Sequence, residues 1–163
     1  HSRGSGVLYK RQIGYMPNNQ NGITDFVPKD QAAISAAEIV DPALSYRIIE
    51  YNHHSMKGDL ERKKATLIAL ADKLEPKRAK LKQVSGSLES DLFYLLNSVN
   101  VRHNNADQGG KNYIHFVADM KDGDIEQWYD DMYQMCLLAF LELDHLERKE
   151  RVKKLKEDIQ KNG

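Results

Sequence analysis

The strongest constraint on the fold is an apolar segment near the end of the chain, residues 132–143 (MYQMCLLAFLEL). It lies in the middle of a helical pattern that opens at Asp122-Gly123-Asp124 and extends for about 35 residues. Apolar side chains surround the segment almost completely, which is typical of a helix covered on all sides by other helices. The sequence therefore predicts a bundle built around one long C-terminal helix.

The last part of this helix differs from the rest, because few apolar residues follow Leu146. Val152, Leu155 and Ile159 continue at helical spacing among alternating Glu and Lys residues. We expect this end to project from the bundle or to pack against a partner chain, as in a homodimer formed through the C-terminal helix. An aromatic and methionine stripe in the first half is expected in the core or in a dimer interface; it consists of Trp128, Tyr129, Met132, Tyr133, Met135 and Phe140.

Aspartates mark the starts of earlier helices. Asp30, Asp41 and Asp59 each precede a helical pattern as N-caps, and Pro42 takes the first helical position after Asp41. A further helix follows the break at residues 85–87 and is expected to end near His103. The helix after Asp59 is predicted to bury one stripe, namely Leu60, Lys64, Leu67, Ile68, Ala71 and Leu74.

These patterns predict an all-α fold, a bundle of about five helices with a long C-terminal helix and an irregular N-terminal arm. Residues 1–29 are assigned to the arm, because turn signals interrupt them and a lone strand would have no partner. Within them, HSRGSG is expected to be a cloning remnant or the edge of an excised fragment. Residues 30–163 are assigned to the bundle, and we expect an additional N-terminal domain in the whole protein.

Composition narrows the classes of function. Lys plus Arg and Asp plus Glu both number 24, so no overall charge attracts the chain to nucleic acid or to a membrane, although a local basic patch would. The single cysteine, Cys136, excludes an internal disulfide. No apolar run reaches the roughly 18 residues of a membrane span. We expect a cytoplasmic protein with no membrane partner, and nothing in the sequence points to a cofactor.

The best candidate site is the polar stretch NSVNVRHNNADQGG, residues 97–110, which follows an apolar helix. An Arg at a helix end can hold a phosphate, and a His or Asp can transfer a proton. Asn side chains can position a phosphate or a ribose hydroxyl through hydrogen bonds. Cleavage of RNA by its own 2′-hydroxyl needs little beyond such groups. The alternative is a polar helix cap without chemistry, since Asn and Gly tolerate left-handed backbone.

The order of a helix, the pattern NxxNxRHNNxD, a loop and a long apolar helix resembles HEPN domains. The nearest kind occurs at the C-terminal ends of bacterial abortive-infection (anti-phage) proteins, and the resemblance covers residues 41–147. It implies a small helical bundle that dimerises. In many members it also implies metal-independent cleavage of RNA through an Arg-polar-x₃-His motif, with two copies facing each other across the dimer.

The resemblance can be carried over residue by residue. Arg102 matches the motif Arg, His103 matches the adjacent polar position, and the expected His falls on Asp107. His103 or His115 could take the role of the missing histidine. The implied catalytic residues are therefore Arg102, His103 and Asp107. From the residues themselves, Asn97, Asn100, Asn104 and Asn105 are assigned to RNA binding. His54 or Lys57 is expected to line the same groove as Arg102. An endoribonuclease and a binding-only relative both remain open, as does a helical dimerisation module without chemistry.

Two other groups of residues give weaker evidence of a functional site. A metal site assembled from His53, His103, His115 and Asp107 has no support from sequence spacing, such as HExxH or paired cysteines, so no metal is predicted. A basic set alternates with acidic residues and has no interleaved aromatic residue, so a solvated helical face is expected rather than an RNA track. It comprises Arg62, Lys63, Lys64, Lys77, Arg78, Lys80 and Lys82.

Overall fold

The structure, a computed structural model, describes residues 14–163. It begins with an antiparallel hairpin of two strands, β1 (Tyr15–Gln20) and β2 (Ile23–Pro28). Asn21 and Gly22 join the strands with φ values of 50° and 79°. Two-residue hairpin turns need this left-handed geometry at both positions, and Asn-Gly adopts it at low cost.

The hairpin corrects two predictions. Residues 15–28 are not an irregular arm, and the fold is mainly α rather than all-α. The prediction assumed a strand without a partner, whereas the tight turn lets the segment pair with itself. Val27 of β2 is fully buried and Met16 of β1 packs against the core, so the hairpin is anchored on the helices. The part of the prediction that concerns residues 1–13 lies outside the described residues.

The helices follow in the order α1 (Gln31–Ala37), α2 (Pro42–Glu50), α3 (Leu60–Leu74), α4 (Arg78–Val84), α5 (Gly86–Ser98), α6 (His115–Ala118) and α7 (Asp122–Asn162). Single 3₁₀ turns at His54–Met56 and Glu75–Lys77 precede α3 and α4. The predicted caps are confirmed, because the carboxylates of Asp30, Asp41 and Asp59 each accept a backbone N–H from the first turn of the next helix. No helix in the described part of the chain is both long and apolar enough to cross a bilayer.

The prediction of a central C-terminal helix is confirmed. α7 has 41 residues, and its first half packs against α1, α3, α4 and α5. Tyr129, Met132, Tyr133 and Phe140 of the predicted stripe are buried, whereas Trp128 is 41% exposed. From residue 147 onward every side chain of α7 is exposed. The helix therefore has a buried half that organises the bundle and a second half that projects from it.

The prediction for the buried side of α3 is confirmed in part, because Leu67, Ala71 and Leu74 are buried as expected. Ile68 lies at the surface, and Lys64 is only partly covered, whereas Leu70 and Lys63 are buried. Positions 63, 67, 70 and 74 form a stripe at helical spacing as regular as the predicted one. A lysine does not identify itself as a core residue, so the sequence pattern favoured the wrong neighbouring positions.

Candidate functional site

The polar stretch begins where α5 ends. α5 buries Leu92, Phe93 and Leu96 against the bundle and ends at Ser98, earlier than the predicted end near His103. The backbone N–H of Arg102 then donates to the carbonyl of Leu96 at 2.9 Å, and Asn100 has a φ of 60°. Asn is one of the few residues other than Gly that adopt this left-handed conformation readily. The chain therefore reverses tightly and stays close to the helix end.

Asn105 holds this reversal in place. Its side chain is buried, and its Oδ1 accepts the backbone N–H of Asn100 at 2.8 Å, while the Oδ1 of Asn100 accepts the N–H of Asn105 at 2.9 Å. The Nδ2 of Asn105 donates to the carbonyls of Asn97 at 3.1 Å and Asn112 at 2.9 Å. We call this set of bonds the asparagine clamp. It pairs backbone groups of the partly buried residues Asn97, Asn100 and Asn112 with the buried Asn105 side chain.

The clamp also ties the loop to α7. The hydroxyl of Tyr129 donates to the carbonyl of Asn100 at 3.0 Å. Burial is the main cause that raises the pKa of the Tyr129 phenol to about 12. Asn97, Asn100 and Asn105 thus lie together, and the side-chain oxygen of Asn100 and both polar side-chain atoms of Asn105 are used within the protein. Their assigned RNA-binding role stays a prediction.

Asp107 and Asn104 form local turns. The Oδ1 of Asp107 accepts the N–H of Gly109 at 3.1 Å, and its carbonyl accepts the N–H of Gly110 at 2.9 Å. The Oδ1 of Asn104 accepts the N–H of Ala106 at 3.3 Å. Both are Asx turns, in which the side chain substitutes for a backbone acceptor. One oxygen of Asp107 remains available for other contacts.

Arg102 and His103 lie at the surface of this rigid loop. The Nη1 of Arg102 is 2.8 Å from an Oε2 of Glu75, and the guanidinium carbon is 5.8 Å from the centre of the Phe93 ring. His103 is exposed. An anion-binding group and a titratable group are therefore adjacent in the chain, and their backbone is fixed by the asparagine clamp.

His54 and Lys57 lie in a different cleft, of about 470 Å³, whose lining includes neither Arg102 nor His103 nor Asp107. Lys57 also borders a second depression together with Asn100. The structure thus places Lys57 near the base of the polar loop. Arg102 lines neither of the two clefts that Lys57 lines.

Lys63 is buried and does not lie on the solvated helical face predicted for the basic set. It forms a cluster that sequence reasoning missed. Its Nζ lies 2.8 Å from Asp130 and 3.3 Å from Glu126, both on α7. Tyr51 donates to the same Asp130 at 2.8 Å and stacks on Tyr133 with ring centres 3.9 Å apart. Burial is the main cause that raises the pKa of both phenols, and the bond to Asp130 adds to it for Tyr51. The helical spacing of Lys63 from Leu67, Leu70 and Leu74 is a signal for its burial, but its charge points the other way.

The lysine cluster joins helices rather than offering a reactive group. The Lys63 ammonium is neutralised by two carboxylates, and the Tyr133 hydroxyl donates to the carbonyl of Ile48 at 2.6 Å. Glu126 also accepts the N–H of Gly58, whose φ is 78°. The cluster therefore fixes α2, α3 and the turn between them onto α7.

No three His, Cys, Asp or Glu side chains within residues 14–163 gather in a geometry that would hold a metal ion. The alternative site built from His53, His103, His115 and Asp107 is therefore not assembled. His53 instead lies 3.6 Å from Asp25, and His115 lies 3.1 Å from Asp119. Comparison with protein-family models, with curated proteins and with solved structures gives no match.

Proposed function

We propose that this chain is a HEPN-like domain of a phage-defence (abortive-infection) protein that binds RNA and cleaves it without metal. The observation that carries the proposal is the adjacency of Arg102 and His103 on a loop held rigid by the asparagine clamp. Rigid placement matters because a group that is already oriented loses little entropy when the reacting atoms meet it.

In the proposed reaction a ribose 2′-hydroxyl loses its proton and attacks the adjacent phosphate. The bond from phosphorus to the 5′-oxygen of the next nucleotide breaks and that oxygen takes up a proton, which leaves a 2′,3′-cyclic phosphate and a 5′-hydroxyl. Arg102 would bind the phosphate and stabilise the charge that develops on its oxygens. His103 would transfer a proton, since histidine changes its charge near neutral pH. Asp107 is better suited to shaping the loop, because its Oδ1 accepts the N–H of Gly109. Asn100 and Asn105 support the loop, and Asn104 and Lys57 are the exposed candidates for contact with RNA.

Arg102→Ala is expected to weaken binding of a short single-stranded RNA and to lower its cleavage about 100-fold, because a cation at the reacting phosphate is lost. His103→Ala is expected to keep most of the binding and to lower cleavage about 100-fold. Fluorescence polarisation and gel analysis of labelled RNA measure the two effects separately. Arg47→Ala is the matched control, since Arg47 is an exposed arginine on α2 whose side chain contacts a backbone carbonyl.

Asp107→Asn separates turn formation from proton transfer in the same assay. Asn can still accept the N–H of Gly109, but it cannot take up a proton at neutral pH. We expect cleavage within about threefold of the parent protein, far from the loss that removal of a general base causes. Cleavage that survives both Arg102→Ala and His103→Ala, or cleavage absent from every form of the protein, would contradict the nuclease proposal.

A second candidate function, homodimerisation through α7, is favoured by an exposed apolar stripe. Leu138, Val152, Leu155 and Ile159 are each about half exposed, between 48% and 59%. Their spacing places them on one side of the helix. Water contact at such a stripe is unfavourable, and a second copy offers the same stripe in return. This function requires no chemistry at the polar loop.

Leu155→Glu is expected to convert the dimer into a monomer, because it places a charge in the middle of the proposed apolar contact. Light scattering coupled to size-exclusion chromatography gives the mass directly. Lys154→Glu is the control on the opposite side of the helix and should leave the mass unchanged. A parent protein that is monomeric at all concentrations tested would contradict the dimer.

A further inference from the structure

We propose that Arg78 and Arg102 form a phosphate-binding site that the carboxylate of Glu75 occupies in the free protein. The proposal deepens the RNA function proposed above and rests on it for the source of the phosphate. It adds Arg78 as a second cation and Glu75 as an internal competitor that must move before RNA enters.

Both arginines lie over the Phe93 ring, and both contact the carboxylate of Glu75. The guanidinium carbons lie 4.1 Å (Arg78) and 5.8 Å (Arg102) from the centre of the buried Phe93 ring. Glu75 bridges them, with its Oε2 2.8 Å from Nη1 of Arg102 and its Oε1 3.7 Å from Nη1 of Arg78. A phosphate presents two oxygens to two guanidinium groups in the same way, and arginine is the side chain best suited to this recognition.

Arg78 does not depend on Glu75 for its position. Its Nε and Nη2 both contact Oε1 of Glu89, at 2.8 and 2.7 Å, and the Glu89 side chain is only 9% exposed. The Glu75 side chain, in contrast, is 42% exposed and belongs to the 3₁₀ turn Glu75–Lys77. Exposed ion pairs contribute little net free energy, about 1 kcal/mol or less. Glu75 can therefore swing into water while Arg78 stays in place.

Displacement of Glu75 changes the charge of the site. With Glu75 in place, two arginines face two glutamates and the cluster is neutral. With Glu75 turned away, one positive charge is unbalanced, and Lys77 and His103 are the sequence neighbours of Arg78 and Arg102. An anion of stronger charge, such as a phosphate, can then replace the carboxylate. Because the open form is only part of the population, the apparent affinity for phosphate is lower than the intrinsic one.

Glu75→Gln is expected to tighten binding of short single-stranded RNA about fivefold, the equivalent of an exposed ion pair released. Glu38→Gln is the matched control, since it removes an exposed carboxylate that also follows the last residue of a helix, in this case α1. In the Arg102→Ala background the gain should vanish. Arg78→Lys keeps the charge beside Glu89 but not the forked geometry, so it should weaken RNA binding in the Glu75→Gln protein.

Inorganic pyrophosphate, titrated in a calorimeter, separates this proposal from the RNA function. If no form of the protein binds RNA but Glu75→Gln binds pyrophosphate more tightly than Glu38→Gln does, the RNA function fails and the phosphate site stands. If Glu75→Gln gains affinity for neither probe, the proposal is overturned, whatever the parent protein does with RNA. A gain that persists without Arg102 also overturns it, because the effect would then be one of general charge.

Discussion

Asn105→Asp is expected to lower the free energy of unfolding by about 3 kcal/mol, since each buried polar group left without its partner costs about 1–3 kcal/mol. The carboxylate can still accept the N–H of Asn100, but it cannot donate to the carbonyls of Asn97 and Asn112. It also places a charge where only 1% of the residue is exposed. Urea unfolding followed by circular dichroism measures the change.

Asn104→Asp is the matched control for this prediction. Asn104 is exposed, and its side chain acts only as an acceptor for the N–H of Ala106, a role that Asp retains. Its free energy of unfolding should change by less than about 0.5 kcal/mol. If both variants unfolded at the same urea concentration, the asparagine clamp would not be a stabilising element, and the rigidity attributed to the Arg102–His103 loop would lose its basis.

Alkaline pH is expected to unfold the protein cooperatively as the pH approaches 12. Burial raises the pKa of the Cys136 thiol to about 12 from an ordinary value of 9.0, and that of the Tyr129 phenol to about 12 from 10.0. Below the ordinary values both folded and unfolded chains hold these protons, so stability is unaffected. Above them the unfolded chain releases the protons first, and stability is lost as the pH rises towards the folded-state value.

The expected loss of folding stability at alkaline pH is large, because several buried groups have raised pKa values. Each pH unit between an ordinary and a raised pKa corresponds to about 1.4 kcal/mol. Cys136 and Tyr129 together therefore withdraw several kcal/mol, and the buried phenols of Tyr51 and Tyr133 act in the same sense. A total stability of about 5–15 kcal/mol is usual for a domain, so this loss is sufficient for unfolding.

Circular dichroism at the helical band and tyrosine absorbance, recorded together against pH, measure this transition. Helix loss and the ionisation of the buried phenols should coincide. Tyr129→Phe removes one of the ionising groups and should move the midpoint to higher pH. Ionisation of every tyrosine without loss of helix would contradict the prediction, because the buried rings would then titrate inside an intact core.

The parts of the fold that depend on neighbouring residues could be predicted from the sequence. Asp30, Asp41 and Asp59 are caps because a short acidic side chain reaches the free N–H groups of the turn that follows. The central position of α7 follows from apolar residues on nearly all of its sides. The hairpin was missed although its Asn21-Gly22 signal is local, because the stability of a two-stranded pair depends on Val27 reaching the helical core.

The side-chain partners of Lys63 and Arg102 could not be predicted from the sequence, because they are distant along the chain. Lys63 is buried because Asp130 and Glu126 meet it from α7, 67 and 63 positions further along the chain. Arg102 likewise contacts Glu75 and Phe93, which lie in earlier elements of the chain. The polar composition of residues 97–110 stands out in the sequence, although the predicted helix end near His103 lies beyond the observed end at Ser98. The division of this stretch into clamp residues, turn residues and the exposed pair Arg102–His103 required the three-dimensional arrangement.

The two halves of α7 are expected to differ in local stability, although the helix is continuous. Amide hydrogens in its buried half can exchange with solvent only when the bundle opens, whereas those from residue 147 onward are exposed by fraying from the C-terminal end. The boundary between slow and fast exchange should therefore fall near Leu143, the last buried residue of the helix. Any partner that covers the second half would move this boundary towards residue 162. The exchange pattern of α7 therefore shows whether a partner is bound to its second half.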